Sequence, residues 1–160
     1  MEFQFRQSIM RTSLLIDRKA HDEKYLKVVF CILRMALSAY RRQMGGRFRG
    51  FKVLLLTTTG RKSGKTNTLP LGCFDHKDGY VIVASNSGQP TNPAWYHNLK
   101  SNPRVTVQVM DKVLSVTAEE LSGEARAQAW QQVITTAPSY AEYEKKTTRE
   151  IPLFLLRPGQ

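Results

Sequence analysis

Residues 52–74 read KVLLLTTTGRKSGKTNTLPLGCF, two apolar stretches separated by a cationic turn. The first stretch, Lys52 to Thr59, is apolar and β-branched, the composition of a strand. The turn Gly60-Arg61-Lys62-Ser63-Gly64-Lys65-Thr66 looks like a phosphate-binding P-loop, but two details reject that reading. Three residues separate its glycines where a P-loop has four. The chain then runs through Asn67-Thr68-Leu69-Pro70 into a second strand, whereas a P-loop must open into a helix. The stretch is a hairpin, and the fold around it is to be built from strands that turn back on themselves.

Downstream, the same pattern recurs. YVIVAS (80–85) follows the tight-turn signal Asp78-Gly79. RVTVQVM (104–110) alternates, with Val105, Val107 and Val109 on one face, and a turn at Asp111-Lys112 leads into VLSVTAEEL (113–121). IPLFLL (151–156) is a last strand. Between them, Asn92 to Lys100 reads as a short helix opened by Pro93 and broken by Asn102-Pro103. Ser122 is placed to cap a helix running to Thr136, and Pro138 restarts a short one carrying Tyr140 and Tyr143. Six strands at hairpin spacing with added helices predict a mainly β chain with some α, an antiparallel barrel over 45–160. Upstream, residues 22–44 read as an amphipathic helix stopped by Gly45-Gly46, so 1–44 is expected to be a basic helical region.

The charge is uneven. The 160 residues carry a net +11, and eleven Lys or Arg residues with no Asp or Glu lie between Lys24 and Phe74. Such a window calls for an acidic partner: nucleic acid, anionic lipid or a polyanionic small molecule. Nucleic acid ranks last, because the window lacks the interleaved exposed aromatics on which bases stack. The basic stripe of residues 22–44 is either a solvated face or a face for an anionic membrane. The most apolar window, Val28 to Leu37, is too short to span a bilayer and contains Arg34, and no secretory signal is read. The expected location is cytoplasmic, with peripheral attachment to the inner face of the cell membrane as an extension. Cys31 and Cys73 read as reduced core thiols.

Three groups of residues are candidates for chemistry. Arg61, Lys62 and Ser63 form either an anion site or a merely charged hairpin tip. Ser85-Asn86-Ser87-Gly88 ends a strand with small residues that let a flat ligand approach backbone, and Trp95 and Tyr96 beyond it are ring walls or core. Tyr140 and Tyr143 share a helical face, in the core or lining a pocket. His21, His76 and His97 are scattered without metal-ligand spacing, and no serine sits in a nucleophile elbow. A chain without an evident acid, base or metal points to a cofactor that carries the chemistry itself.

Four blocks then coincide with one family. LLLTTTGRKSGK, Thr68 to Leu71, VASNSGQPTNPAWYHNLKSNPRVTVQV and PSYAEYEKKTTREIPLFLL, in order over 47–157, resemble the deazaflavin-dependent nitroreductase and quinone reductase family. The resemblance implies a split β-barrel related to flavin-nucleotide-binding oxidoreductases. It implies coenzyme F(420), an 8-hydroxy-5-deazaflavin with a phosphate and a polyglutamate tail, whose charge suits the basic window. By motif position, Arg61, Lys62 and Ser63 would hold the phosphate or tail, with Asn67, Thr68, Leu69, Pro70, Leu71 and Gly72 lining it. Val83, Ala84, Ser85 and Asn86, with Ala94, Trp95, Tyr96, His97 and Asn98, would enclose the ring. Tyr140 would face the substrate, with Tyr143 nearby. The implied reaction is hydride transfer from the deazaflavin C5 to a quinone or a nitroaromatic, with Ser85 or a tyrosine hydroxyl donating to the acceptor. Two departures stand out. Ala137 replaces an aromatic usual in nitroimidazole-reducing members, which counts against nitroimidazole activation and leaves quinone reduction open, and Ser87 stands where glycine is common. The rival cofactors are FMN and heme, which related split barrels use.

Overall fold

The computed structural model describes residues 47–48 and 51–159, so the expected helical region 1–44, with its basic stripe, His21 and Cys31, lies outside the described residues. Among the described residues the strands are β1 (Arg47–Phe48), β2 (Phe51–Thr59), β3 (Thr66–His76), β4 (Gly79–Val83), β5 (Arg104–Val109), β6 (Lys112–Glu120) and β7 (Leu153–Pro158). Every pairing is antiparallel, in the order β1-β2-β3-β4-β7-β6-β5. A second pairing of β2 with β5 closes six of these strands into a barrel, as expected from sequence. Leu54 marks the seam, opposite Leu71 of β3 on one side and Val109 of β5 on the other.

Two cores share the barrel wall. Leu54, Leu56, Cys73, Ile82, Phe154 and Leu156 point inward, joined by Val105, Val107 and Val109 of the alternating strand. Phe74, Val81, Val83, Leu153 and Leu155 point outward, and a helix covers them with Ala129, Trp130 and Val133. Successive side chains of a strand face opposite ways, so β4 and β7 are buried on both faces and read as unbroken apolar runs. That double burial explains why VIVA and LFLL show no alternation.

The helices are α1 (Ala94–Ser101), α2 (Gly123–Thr136) and α3 (Ser139–Lys145). Trp95 and Leu99 anchor α1 in the inner core. Ser122 holds the N-cap position of α2, but its hydroxyl makes no capping bond; the chain enters instead through Gly123 at φ 54°. Both expected hairpin turns lie one residue earlier than the sequence signals. Lys77 and Asp78 form the first, and Gly79 is already paired with His76 in β4. Its glycine serves a close approach rather than the turn, since a Cβ there would collide with the Leu156 carbonyl of β7. The second turn is Met110-Asp111, with Met110 at φ 52° and no glycine to announce it.

Candidate active site

The β2–β3 turn is internally cross-braced. The Gly64 N–H donates to the Gly60 carbonyl (2.7 Å), and the Gly60 N–H to that of Lys65 (2.8 Å). The Lys65 N–H donates to Ser63 Oγ (3.3 Å), and Asn67 Nδ2 to the Lys65 carbonyl (3.3 Å). A Cβ on Gly60 would lie 2.5 Å from Ser63 Oγ, so a larger residue there would turn that hydroxyl out of its brace. Asn98 of α1 holds it from behind. Its Oδ1 accepts from the Arg61 N–H (3.1 Å) and its Nδ2 donates to Oγ1 of the buried Thr58 (3.1 Å). A buried amide satisfied at both ends makes a rigid mount. On that mount the Arg61 and Lys62 side chains are exposed and form no ion pair among the described residues. With Ser63, Asn67, Ala94, His97 and Asn98 they line a cleft of ≈ 300 Å³.

β3 continues away from the turn. Thr68 Oγ1 lies 2.9 Å from Thr57 Oγ1, Leu69 and Leu71 pack against the inner core, and Pro70 and Gly72 are half-buried. α1 contributes unequally. Trp95 is 7% exposed with its ring edge-on to Phe154 (6.2 Å), which places its bulk in the core. Tyr96 meets Phe154 (5.6 Å) and His97 (5.1 Å), and its hydroxyl reaches Glu120 (3.4 Å).

A second group gathers on the loop after β4. Ala84 faces the inner core, Val83 the outer core, and Ser85 is buried. The backbone then passes through three left-handed residues, Asn86 (φ 47°), Ser87 (φ 56°) and Gly88 (φ 80°). That conformation explains why glycine suits position 87. Asn86 Nδ2 donates to the Thr91 carbonyl (3.0 Å). α3 closes on this loop: a Cβ on Gly88 would lie 2.9 Å from both the Tyr143 carbonyl oxygen and Lys146 Cβ. Tyr140 meets Phe74 and Tyr143 edge-on, each at 5.7 Å, and both tyrosines pack against the outer core. Burial first, then Tyr143 and Cys73, push the Tyr140 phenol up to about 12. It stays protonated at neutral pH, able to donate a hydrogen bond and unable to act as a base. Ala137 is buried in the outer core at the end of α2.

The turn residues, Asn67, Ala94, His97 and Asn98 thus share one cleft, whereas Ser85, Asn86, Tyr140 and Tyr143 cluster around the second loop. One residue was missed from sequence. Arg149 spans both flanks of that loop with four hydrogen bonds to partners 57 to 65 positions away, a separation that no local pattern reveals.

A family model described as F420H(2)-dependent quinone reductase matches residues 32–158. The chain belongs to that family. Membership makes it an F420H(2)-dependent oxidoreductase with coenzyme F(420) as its cofactor. The chain is 42% identical over 106 residues to the F420H(2)-dependent quinone reductase Rv1261c of Mycobacterium tuberculosis (strain ATCC 25618 / H37Rv), covering 64% of this chain and 71% of that protein. The solved structure of an F420-H2 dependent reductase (FDR-A) is 47% identical, covers 66% of this chain and 93% of its own, and superposes with a TM-score of 0.61. The heme storage protein HutZ from Vibrio cholerae, 16% identical with a TM-score of 0.52 over 78% of this chain and 89% of its own, shares the split-barrel fold alone. The donor set at this turn would fit the cofactor: two cations on a braced turn, unpaired among the described residues, would suit a phosphate and a carboxylate tail.

Proposed function

We propose that the chain passes a hydride from reduced coenzyme F(420) to a quinone, with the cleft at the β2–β3 turn holding the anionic end of the coenzyme. The observation that carries this is the pair Arg61 and Lys62, unpaired among the described residues, on a turn that Asn98 holds through the Arg61 N–H. Arg61, Lys62 and Ser63 bind the phosphate or tail, and Asn67 to Gly72 line its path. Val83 to Asn86 and Ala94 to Asn98 form the walls for the ring, Ser85 and Asn86 through backbone and small side chains, Trp95 and Val83 by supporting those walls from the two cores. When bound, the reduced deazaflavin supplies the hydride from its C5. The protein then orients donor and acceptor and excludes water. Ser85 or the neutral Tyr140 phenol donates a hydrogen bond to the acceptor oxygen, with Tyr143 beside it. Nitroaromatics are secondary acceptors in this reading, because Ala137 offers no aromatic wall. Residues 22–44 are the proposed contact with anionic lipid, which would bring the enzyme to a lipid-soluble quinone. Among the described residues no helix is long and apolar enough to cross a membrane.

The deciding experiment is a fluorescence titration of the purified chain with coenzyme F(420), FMN in a parallel cell, followed by quinone turnover. Tight deazaflavin binding with turnover is expected, and preference for FMN would overturn the reading. For the lipid contact, anionic vesicles should bind the full chain and release one lacking residues 1–44; equal binding of the two removes that role.

A further inference from the structure

Arg149 lies between α3 and β7, and its guanidinium makes four hydrogen bonds, all to neutral oxygens. Nε donates to the Gln89 carbonyl (3.0 Å), Nη1 to Asn92 Oδ1 (2.7 Å), and Nη2 to the carbonyls of Ala84 (3.0 Å) and Ser85 (2.8 Å). No carboxylate pairs with it among the described residues. A planar fork that meets four acceptors at both flanks of a loop fixes that loop as one piece, which a lysine cannot do. The charge is left uncompensated, and partial burial screens it less than an exposed one.

The backbone it holds has a particular shape. Ser85 is right-handed (φ −68°, ψ −33°), and Asn86 and Ser87 are left-handed. Successive N–H groups in such a bend converge and form a concavity for negative charge. Those of Ser85, Asn86 and Ser87 donate to no acceptor among the described residues.

We propose that Arg149 is a positioning residue of the coenzyme site: by clamping the loop from Ala84 to Asn92 it presents these backbone donors to an electronegative edge of the bound ring and sets a positive charge behind them. This rests on the proposed seat of the ring against Val83 to Asn86.

The test uses the full chain with Arg149→Met and Arg149→Lys, at a temperature where circular dichroism shows each folded. Coenzyme F(420) affinity is read by fluorescence, inorganic pyrophosphate competition probes the Arg61 turn separately, and amide exchange is followed over 84–92. Arg149→Met should weaken coenzyme binding tenfold or more, leave pyrophosphate binding unchanged and speed exchange in the loop. Arg149→Lys, which keeps the charge, should recover part of the affinity while the loop still exchanges fast. Wild-type coenzyme affinity in Arg149→Met would overturn the proposal, and so would a parallel loss of pyrophosphate binding, the mark of general loosening. Failure of the unaltered chain to bind the coenzyme would instead strike the underlying reading and take this one with it.

Discussion

The Gly60–Lys65 turn carries its cations on exposed side chains, while the loop from Ala84 to Asn92 carries no charged residue and borrows one from Arg149. The turn is braced from within and held from behind by Asn98, and it leaves the Arg61 and Lys62 side chains exposed. The loop is fixed by a guanidinium whose donors point into the protein. Exposed cations cost little to maintain and attract from a distance, but salt screens them. A partly buried clamp attracts less from afar and defines geometry instead. On the proposed reading, the turn would supply affinity for the anionic end of the coenzyme, and the loop the placement of its ring.

That division can be broken at several points. The largest effect belongs to the turn: Arg61→Ala with Lys62→Ala should weaken coenzyme binding about 100-fold, two charge-assisted bonds of about 1.4 kcal/mol each. The salt dependence of binding should flatten at the same time. Undiminished affinity in the fluorescence titration would mean that the tail leaves by another route. Next comes the mount. Asn98→Leu strips a partner from both the Arg61 N–H and the buried Thr58 hydroxyl, at about 2 kcal/mol of stability, and the thermal midpoint should fall by several degrees. A mount that matters would also show as weaker coenzyme binding; a lower midpoint with intact binding would demote Asn98 to a packing role.

Beneath the clamped loop, alkaline titration tests the burial of Tyr140. Burial, with Tyr143 and Cys73 adding to it, pushes its phenol up to about 12, and burial with Asp75 does the same for the Cys73 thiol. Both groups hold their protons more tightly folded than unfolded. Their stabilising contribution is therefore complete below about pH 9 and lost as the pH climbs toward about 12. Melting curves across that range should slope downward, and less so in Tyr140→Phe; an unchanged slope in that variant would place the phenol in water. The smallest effect is expected at Ser87. Its left-handed backbone costs a side chain about 1 kcal/mol, so Ser87→Gly should gain up to about 1 kcal/mol, read from the thermal midpoint. A destabilised variant would show that the serine hydroxyl contributes something the backbone angle does not.

The comparison also separates what a sequence reveals from what it hides. The turn was legible because everything that makes it is local: glycines, cations and the start of the following strand within eleven residues of one another (Gly60 to Pro70). Closed-barrel architecture was legible because hairpins announce themselves by spacing. Arg149 was not, since its acceptors are mostly backbone carbonyls far along the chain, and any residue type supplies a carbonyl. Val83 and Trp95 were placed near the ring by motif, yet which face of a doubly buried strand or short helix a side chain takes depends on the second core, for which one strand's pattern carries no mark. Asp78-Gly79 misled by one residue for a related reason: its glycine answers to Leu156, more than seventy positions on (79 to 156).

The position of β7 has a consequence for how the molecule comes into being. Leu153–Pro158 lies between β4 and β6, so two ladders and both cores wait for the last described strand. Until it arrives, β4 exposes an apolar edge, a hazard for association with other chains. Contacts of such long sequence separation form slowly. The nascent chain should stay open, and dependent on protection from aggregation, until residues 153–158 have left the ribosome.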